Sequence, residues 1–250
     1  AGATTRTGEA PTLDPMPITP ETTVADIAPA APATIRVFQH HHIDFCCGGR
    51  IPIAQACAER GIETDLVLTQ LLAATTPATA EPTWAEAPLS ELISHIQARY
   101  HEPLRNELPR LEAMVAKVLS RHGEKLPDVL PPLYETFVGL REELLEHMLK
   151  EDRVLFPVIT ALEAGAPLPI ADAGAWMPSP VAVMEAEHES AGQALARMRA
   201  LTNDYTPPEW ACPTFRGLYF GLAQLETDMH LHVHLENHVL FPRAMQLARA

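Results

Sequence analysis

The sequence predicts an all-α fold, a C-terminal antiparallel four-helix bundle preceded by a small N-terminal helical domain. Three observations predict it. Four long stretches with helical apolar spacing fill residues 88–250, separated by proline clusters. Strand-like alternation bounded by hairpin turns is absent. The second and fourth stretches also share one local pattern, which makes the region a repeated helical hairpin.

Residues 1–21 are rich in Ala, Thr, Pro and Gly, show no apolar period and are expected to form a mobile tail. From Thr23 the pattern changes. Val24, Ile27, Ile35, Val37 and Phe38 lead to Ile43-Asp44-Phe45-Cys46-Cys47-Gly48-Gly49. Two short helices are expected at Pro52–Arg60 and Thr64–Ala74, with Pro52 suited to a first turn and Gly61 to a stop. Residues 22–76 thus read as a small helical domain, marginal on its own by size. Residues 77–87 carry Pro77 and Pro82 and read as a linker. The bundle helices are expected at Leu89–Arg121, Pro132–Glu163, Pro180–Thr202 and Thr214–Ala248. Pro103, Pro109, Pro157 and Pro242 fall inside them and are expected to bend or interrupt them.

Composition narrows the functional classes. With 47% hydrophobic and 20% charged residues the chain reads as globular rather than disordered. A formal net charge of −14 disfavours nucleic acid and anionic membrane as partners. No apolar run reaches the roughly 20 residues of a membrane span. The N-terminal stretch carries Glu9, Asp14, Glu21 and Asp26 and lacks the basic start and apolar core of a secretory signal. Cys46, Cys47, Cys57 and Cys212 do not form a secreted disulfide framework, so a reducing, cytoplasmic setting is expected.

The repeat carries the chemistry. His147-Met-Leu-Lys-Glu151-Asp-Arg-Val-Leu155-Phe156-Pro157 and His232-Val-His-Leu-Glu236-Asn-His-Val-Leu240-Phe241-Pro242 are both His-x-x-x-Glu-x-x-x-Leu-Phe-Pro. The first and third stretches each hold a His-Glu pair, His101-Glu102 and His188-Glu189. His101 precedes His147 by 46 residues, and His188 precedes His232 by 44. Residues four apart share one helix face, so each His-x-x-x-Glu aims an imidazole and a carboxylate at one point. Two facing copies bring His101, His147, Glu151, His188, His232 and Glu236 to the bundle centre. Four imidazoles and two carboxylates suit two metals bridged by carboxylates, with room for a bridging oxygen and an outside ligand. Such ligands fit iron, and manganese or zinc as well. A lone His on a helix is more often a surface or satisfied core residue, and it is the duplication that favours metal binding. His230, His234 and His238 form a rival stripe on another face of the fourth helix, without counterparts in the second, and are read as mostly exposed or as supporting the ligands. His95 and His122 are read as structural, and Glu143 and Glu187 as solvated or supporting carboxylates.

At these residues the chain resembles the repair-of-iron-centres proteins, di-iron proteins with a hemerythrin-like domain and an N-terminal ScdA-type domain. The resemblance spans about residues 22–250. It rests on Asp44-Phe45-Cys46-Cys47-Gly48-Gly49, Arg99-Tyr100-His101, His147-x-x-x-Glu151, Met184-Glu185-Ala186-Glu187-His188-Glu189 and His232-x-x-x-Glu236-Asn237. It implies two non-haem iron ions with an oxo or hydroxo bridge, held by the six residues above. It also implies a cytoplasmic role in repairing iron–sulfur clusters damaged by nitric oxide or oxidants, with damaged iron–sulfur proteins or cluster assembly proteins as partners. The His40-His41-His42 run extends the family pattern. Adjacent Cys46 and Cys47 are poor disulfide partners, and they are candidates for a redox or metal-transfer role. Buried thiols packing a small domain are the plainer alternative. Cys57 and Cys212 are isolated and read as structural.

Three functions stay open on the sequence. The chain repairs clusters by releasing iron, or it reduces nitric oxide at the metal pair, or it senses nitric oxide or oxygen without catalysis. Compared with oxygen-carrying hemerythrins a fifth histidine is missing, which leans against simple transport. The oligomeric state is open, a homodimer included.

Overall fold

The computed structural model describes residues 18–30, 34–41, 43–45, 49–74, 84–168 and 170–249. The expected tail over 1–21 and linker over 77–87 fall largely outside the described residues, and His42, Cys46 and Cys47 fall wholly outside them.

Every regular element among the described residues is helical. Four short helices come first: α1 Val24–Ala30, α2 Ile35–His40, α3 Ile53–Arg60 and α4 Thr64–Ala74. Helix α3 starts after Pro52 and stops at Gly61, whose φ of 66° places it in the left-handed region that glycine tolerates. Backbone bonds tie the start of this unit to the residues leading into α3. Ala25 N donates to Gly49 O and Ile53 N to Thr22 O.

The bundle follows. Its first rod is α5 Leu89–Ile96, a π turn at Gln97–His101, and α6 Glu102–His122. The second is α7 Leu130–Lys150, a π turn at Glu151–Leu155, and α8 Phe156–Glu163. The short α9 Ala173–Trp176 precedes the third rod, α10 Pro178–Leu201. The fourth is α11 Pro213–Leu235, a π turn at Glu236–Leu240, and α12 Phe241–Leu247. Glu163, at the end of the second rod, accepts from the backbone N of Leu89 and Ser90 at 2.6 and 2.9 Å, so these two rods run antiparallel. The carboxylate thereby satisfies amides that a helix start leaves open.

The internal prolines act in a specific way. Each five-residue π turn ends two positions before a proline, Pro103, Pro157 or Pro242. Proline cannot donate to the carbonyl four residues back, and its ring crowds that carbonyl. The helix widens instead. The N–H groups of Glu102, Phe156 and Phe241 reach back five residues, to the carbonyls of Gln97, Glu151 and Glu236. Pro109 lies within α6, which continues through it.

Two apolar layers fill the bundle. One joins Leu104, Leu111, Phe137, Leu195, Phe215 and Leu222 with the N-terminal unit through Phe38 and Phe45. The other contains Leu92, Ile96, Phe156, Ile159, Val181 and Phe241. The four buried histidines of the repeat and their two glutamates lie along the rods between these layers. At Gly221 a Cβ would come within 2.6 Å of the Leu111 side chain, so glycine lets the fourth rod approach the first closely.

Candidate metal centre

The six residues singled out by the repeat converge. His101, His147, Glu151, His188, His232 and Glu236 are all buried, none more than 3% exposed. His101 Nε2 lies 3.1 Å from His232 Nε2, and His147 Nε2 lies 2.9 Å from His188 Nε2. Glu151 Oε2 is 3.4 Å from His101 Nε2 and 3.3 Å from His147 Nε2. Glu236 is 3.0 Å from His232 Nε2 through Oε1 and 3.2 Å from His188 Nε2 through Oε2. Two groups result, His101–Glu151–His232–Glu236 and His147–Glu151–His188–Glu236, each with ligand atoms within 4.8 Å of one another. Both glutamates belong to both groups. The imidazoles pair across hairpins, first rod with fourth and second with third.

Three of the converging side chains sit at π turns. His101 ends one, and Glu151 and Glu236 each begin one. The extra residue in each turn re-aims the helix where a side chain must point inward.

The outer ring nitrogens explain how the imidazoles are held. His101 Nδ1 donates to Asp152 Oδ1 at 3.0 Å, His147 Nδ1 to Glu187 Oε2 at 2.9 Å, and His188 Nδ1 to Asn237 Oδ1 at 2.8 Å. Each bond puts the proton on Nδ1 and turns the Nε2 lone pair toward the centre. Phe156 stacks on His101, Phe241 on His188, and Tyr100 on His232. The repeated Leu-Phe-Pro thus supplies one ring to pack an imidazole and one proline to set the π turn.

The donor set is suited to cations. Lone pairs of four imidazoles and two carboxylates face one another, and Glu151 Oε1 is buried without a hydrogen-bond partner among the described residues. Buried carboxylate oxygens in that state are costly unless a positive charge joins them. Protons respond to the same field. Burial opposes charge on His101, yet bonds to Asp152 and Glu151 and the charge of Glu236 hold its pKa up at about 9. Burial likewise opposes charge on His147, and Glu151, Glu236 and Glu187 raise it to about 9. Burial opposes ionisation of both glutamates, but their histidine neighbours hold Glu151 below, and Glu236 well below, the usual carboxylate value.

Comparison with known proteins reaches the same region. Residues 92–244 match the profile of the hemerythrin HHE cation binding domain, and residues 20–75 match ScdA_N, a domain of unknown function. The iron-sulfur cluster repair proteins YtfE of Yersinia pseudotuberculosis serotype IB (strain PB1/+) and Yersinia pestis (strain Pestoides F) are each 40% identical over 220 residues. That stretch covers 88% of this chain and 95% of each relative. The chain belongs to the YtfE family of hemerythrin-domain proteins. The hemerythrin domain and the buried His/Glu groups together point to iron as the metal.

Within this YtfE-family chain one other sequence expectation meets a different geometry. The stripe of His230, His234 and His238 neither joins the centre nor lies mostly exposed. His234 is 2% exposed, and its ring and that of His230 lie 5.7 and 5.9 Å from Phe45. Burial, with the charge of His238, lowers the His234 pKa to about 3. The stripe is therefore the seam on which the segment before Cys46 docks. Glu187 is a working partner of His147 and also pairs with Lys150 Nζ at 2.5 Å. Glu143 is exposed and bonds to Ser190. His41 bonds to Gln70 at 2.6 Å. His95 packs on Trp84 and Tyr100, and His122 on Trp210 and Phe215. Cys57 is buried in the core, and Cys212 lies 3.6 Å from His122. The sequence reading gave no role to Asp152 or to Asn237, although Asn237 stands in the family motif. The repeat itself held the signal, since both directly follow the glutamate of their copy. No described helix is long and apolar enough to cross a membrane.

Proposed function

We propose that this chain holds two iron ions on His101, His147, Glu151, His188, His232 and Glu236, and that it repairs damaged iron–sulfur clusters in the cytoplasm by donating iron. The carrying observation is that Glu151 and Glu236 each belong to both four-residue groups. A carboxylate shared in this way is what a metal pair requires. The family's relatives, named as iron-sulfur cluster repair proteins, supply the physiological context. Bound there, iron supplies a labile, redox-active cation, with the oxo or hydroxo bridge as part of this proposal. The chain's own residues hold three of the four imidazoles in one tautomer, through Asp152, Glu187 and Asn237, and bury all four between two apolar layers. Damaged iron–sulfur proteins are the clients in this reading. Cys46 and Cys47 are assigned the transfer step, because Phe45 just before them packs on the rod that carries His232 and Glu236.

The test starts with metal content after anaerobic purification. About two irons per chain are expected in the native protein, and close to none with Glu151→Ala and Glu236→Ala combined. One zinc per chain, or iron unaffected by the double substitution, overturns the site. Loaded protein is then mixed with an apo iron–sulfur protein. Iron transfer supports repair by donation, while steady conversion of nitric oxide to nitrous oxide without transfer favours a reductase. Unchanged transfer after Cys46→Ser with Cys47→Ser removes the thiols from the scheme.

A further inference from the structure

The pseudo-symmetry of the two hairpins is broken where the outer nitrogens of the imidazoles are held, and the break that removes an acceptor falls on one side of the centre. The residue after each glutamate orients the first-rod imidazole of its own hairpin, Asp152 for His101 and Asn237 for His188. The residue before each of those histidines faces an imidazole of the other hairpin. In one case it is Glu187, whose carboxylate takes the Nδ1 proton of His147. In the other it is Tyr100. Its ring lies flat on His232, centroids 5.2 Å apart and planes 4° apart, and a flat-stacked ring has no acceptor in the imidazole plane. His232 Nδ1 is buried and has no hydrogen-bond partner among the described residues.

We infer that the two metal positions are unequal, and that the one formed by His101 and His232 surrenders its iron first, with Tyr100 setting the difference. This rests on the two-iron reading above. An acceptor on the outer nitrogen raises the basicity of a ligating imidazole and stops it rotating, and removing one typically weakens metal binding about 10- to 100-fold. A buried N–H without an acceptor also carries an uncompensated desolvation cost. The His147–His188 position has both imidazoles anchored, one to Glu187, itself held by Lys150, and one to Asn237. The His101–His232 position has only His101 anchored, on an Asp152 that Gln97 and Arg105 also hold.

Access does not separate the two positions. A cavity of about 440 Å³ lies outside Tyr100, bordered by Leu104, Arg110 and Asp228. Another of about 590 Å³ lies outside Glu187 and Lys150. Anchoring of the imidazoles is what differs. A protein with one weakly and one firmly held iron delivers a single ion per encounter and keeps the second in place.

The experiment loads the full chain anaerobically with ferrous iron, confirms the stoichiometry, and follows iron loss to a ferrous-specific chelator. The native protein is expected to lose one iron about 10-fold or more faster than the other. Tyr100→Glu places a carboxylate where the other hairpin has Glu187, and is expected to slow the fast phase about 10-fold. Tyr100→Phe keeps the stack and should leave both phases as in the native chain. Glu187→Ala should speed the slow phase until the two merge. A single phase from native protein loaded with two irons overturns the inference while leaving the site intact. So does a fast phase that Glu187→Ala accelerates and Tyr100→Glu does not touch. Fewer than two irons per loaded native chain overturns the site reading itself, and the inequality with it.

Discussion

Asp152 Oδ1 lies 3.0 Å from His101 Nδ1, and Asp152 stands in the chain immediately after Glu151, a residue shared by both metal groups. One turn of the second rod thus supplies a ligand candidate and the group that orients an imidazole on the first. Gln97 and Arg105 also bind this carboxylate. Burial opposes its ionisation, but the bonds from His101 and Gln97 bring its pKa down to about 2.

Asp152→Ala is expected to weaken iron retention about 10- to 100-fold, because His101 loses its acceptor. Asp152→Asn should keep most of the retention, since Asn237 performs the same task for His188 with an amide. Competition against a graded chelator series measures both. Retention in Asp152→Ala equal to the native value would show that the imidazole needs no such partner.

The π turn before Pro157 predicts a dissociation between stability and metal binding. Pro157→Ala restores an N–H that can reach the carbonyl of Arg153, so the second rod is free to close to a regular α-helix. That closure rotates Phe156 away from the His101 ring, whose centroid lies 5.6 Å from its own. The expected outcome is an unfolding temperature unchanged or raised, with iron content per chain reduced. Iron analysis alongside thermal unfolding checks it, and full iron content at native stability would mean that the π turn does not aim the site.

Phe45 is fully buried and packs on Phe38, His230 and His234. Phe45→Ala should destabilise the protein by about 3 kcal/mol, a common cost of emptying an aromatic site. Urea unfolding of the metal-free chain reads it directly. A loss well under 1 kcal/mol would show that the N-terminal unit is not part of the bundle's core.

Glu163 gives a pH dependence away from the metal site. Burial opposes its charge, but the backbone N–H groups of Ser90 and Leu89 lower its pKa below the usual value. A carboxylate depressed in the folded state contributes stability above its unfolded pKa, about 4.3, and loses that contribution as pH falls through the folded pKa. Glu163→Gln should therefore cost about 1 kcal/mol near neutral pH, the scale of a lost helix cap. The gap to the native chain should close as pH drops below about 4. Paired denaturant titrations across that range measure the gap, and a gap constant with pH would assign the effect to shape rather than charge.

Much of this molecule is local in origin. The apolar period and the prolines mark the four rods, the duplicated His-x-x-x-Glu places four side chains because residues four apart share a helix face, and the repeated hairpin adds His101 and His188. These features are legible along the chain alone, so the sequence by itself determined the bundle and the residues at its centre. Tertiary structure decided what depends on rods lying side by side. It paired His101 with His232 and His147 with His188, across hairpins rather than within them. It gave His147 the acceptor Glu187 and gave His232 the flat face of Tyr100. It also buried His234 under Phe45, a residue from the other end of the chain. Helical spacing says which way a side chain points from its own axis. Which neighbour meets it depends on the order and vertical offset of the helices, and those are settled by packing of the two apolar layers around the site.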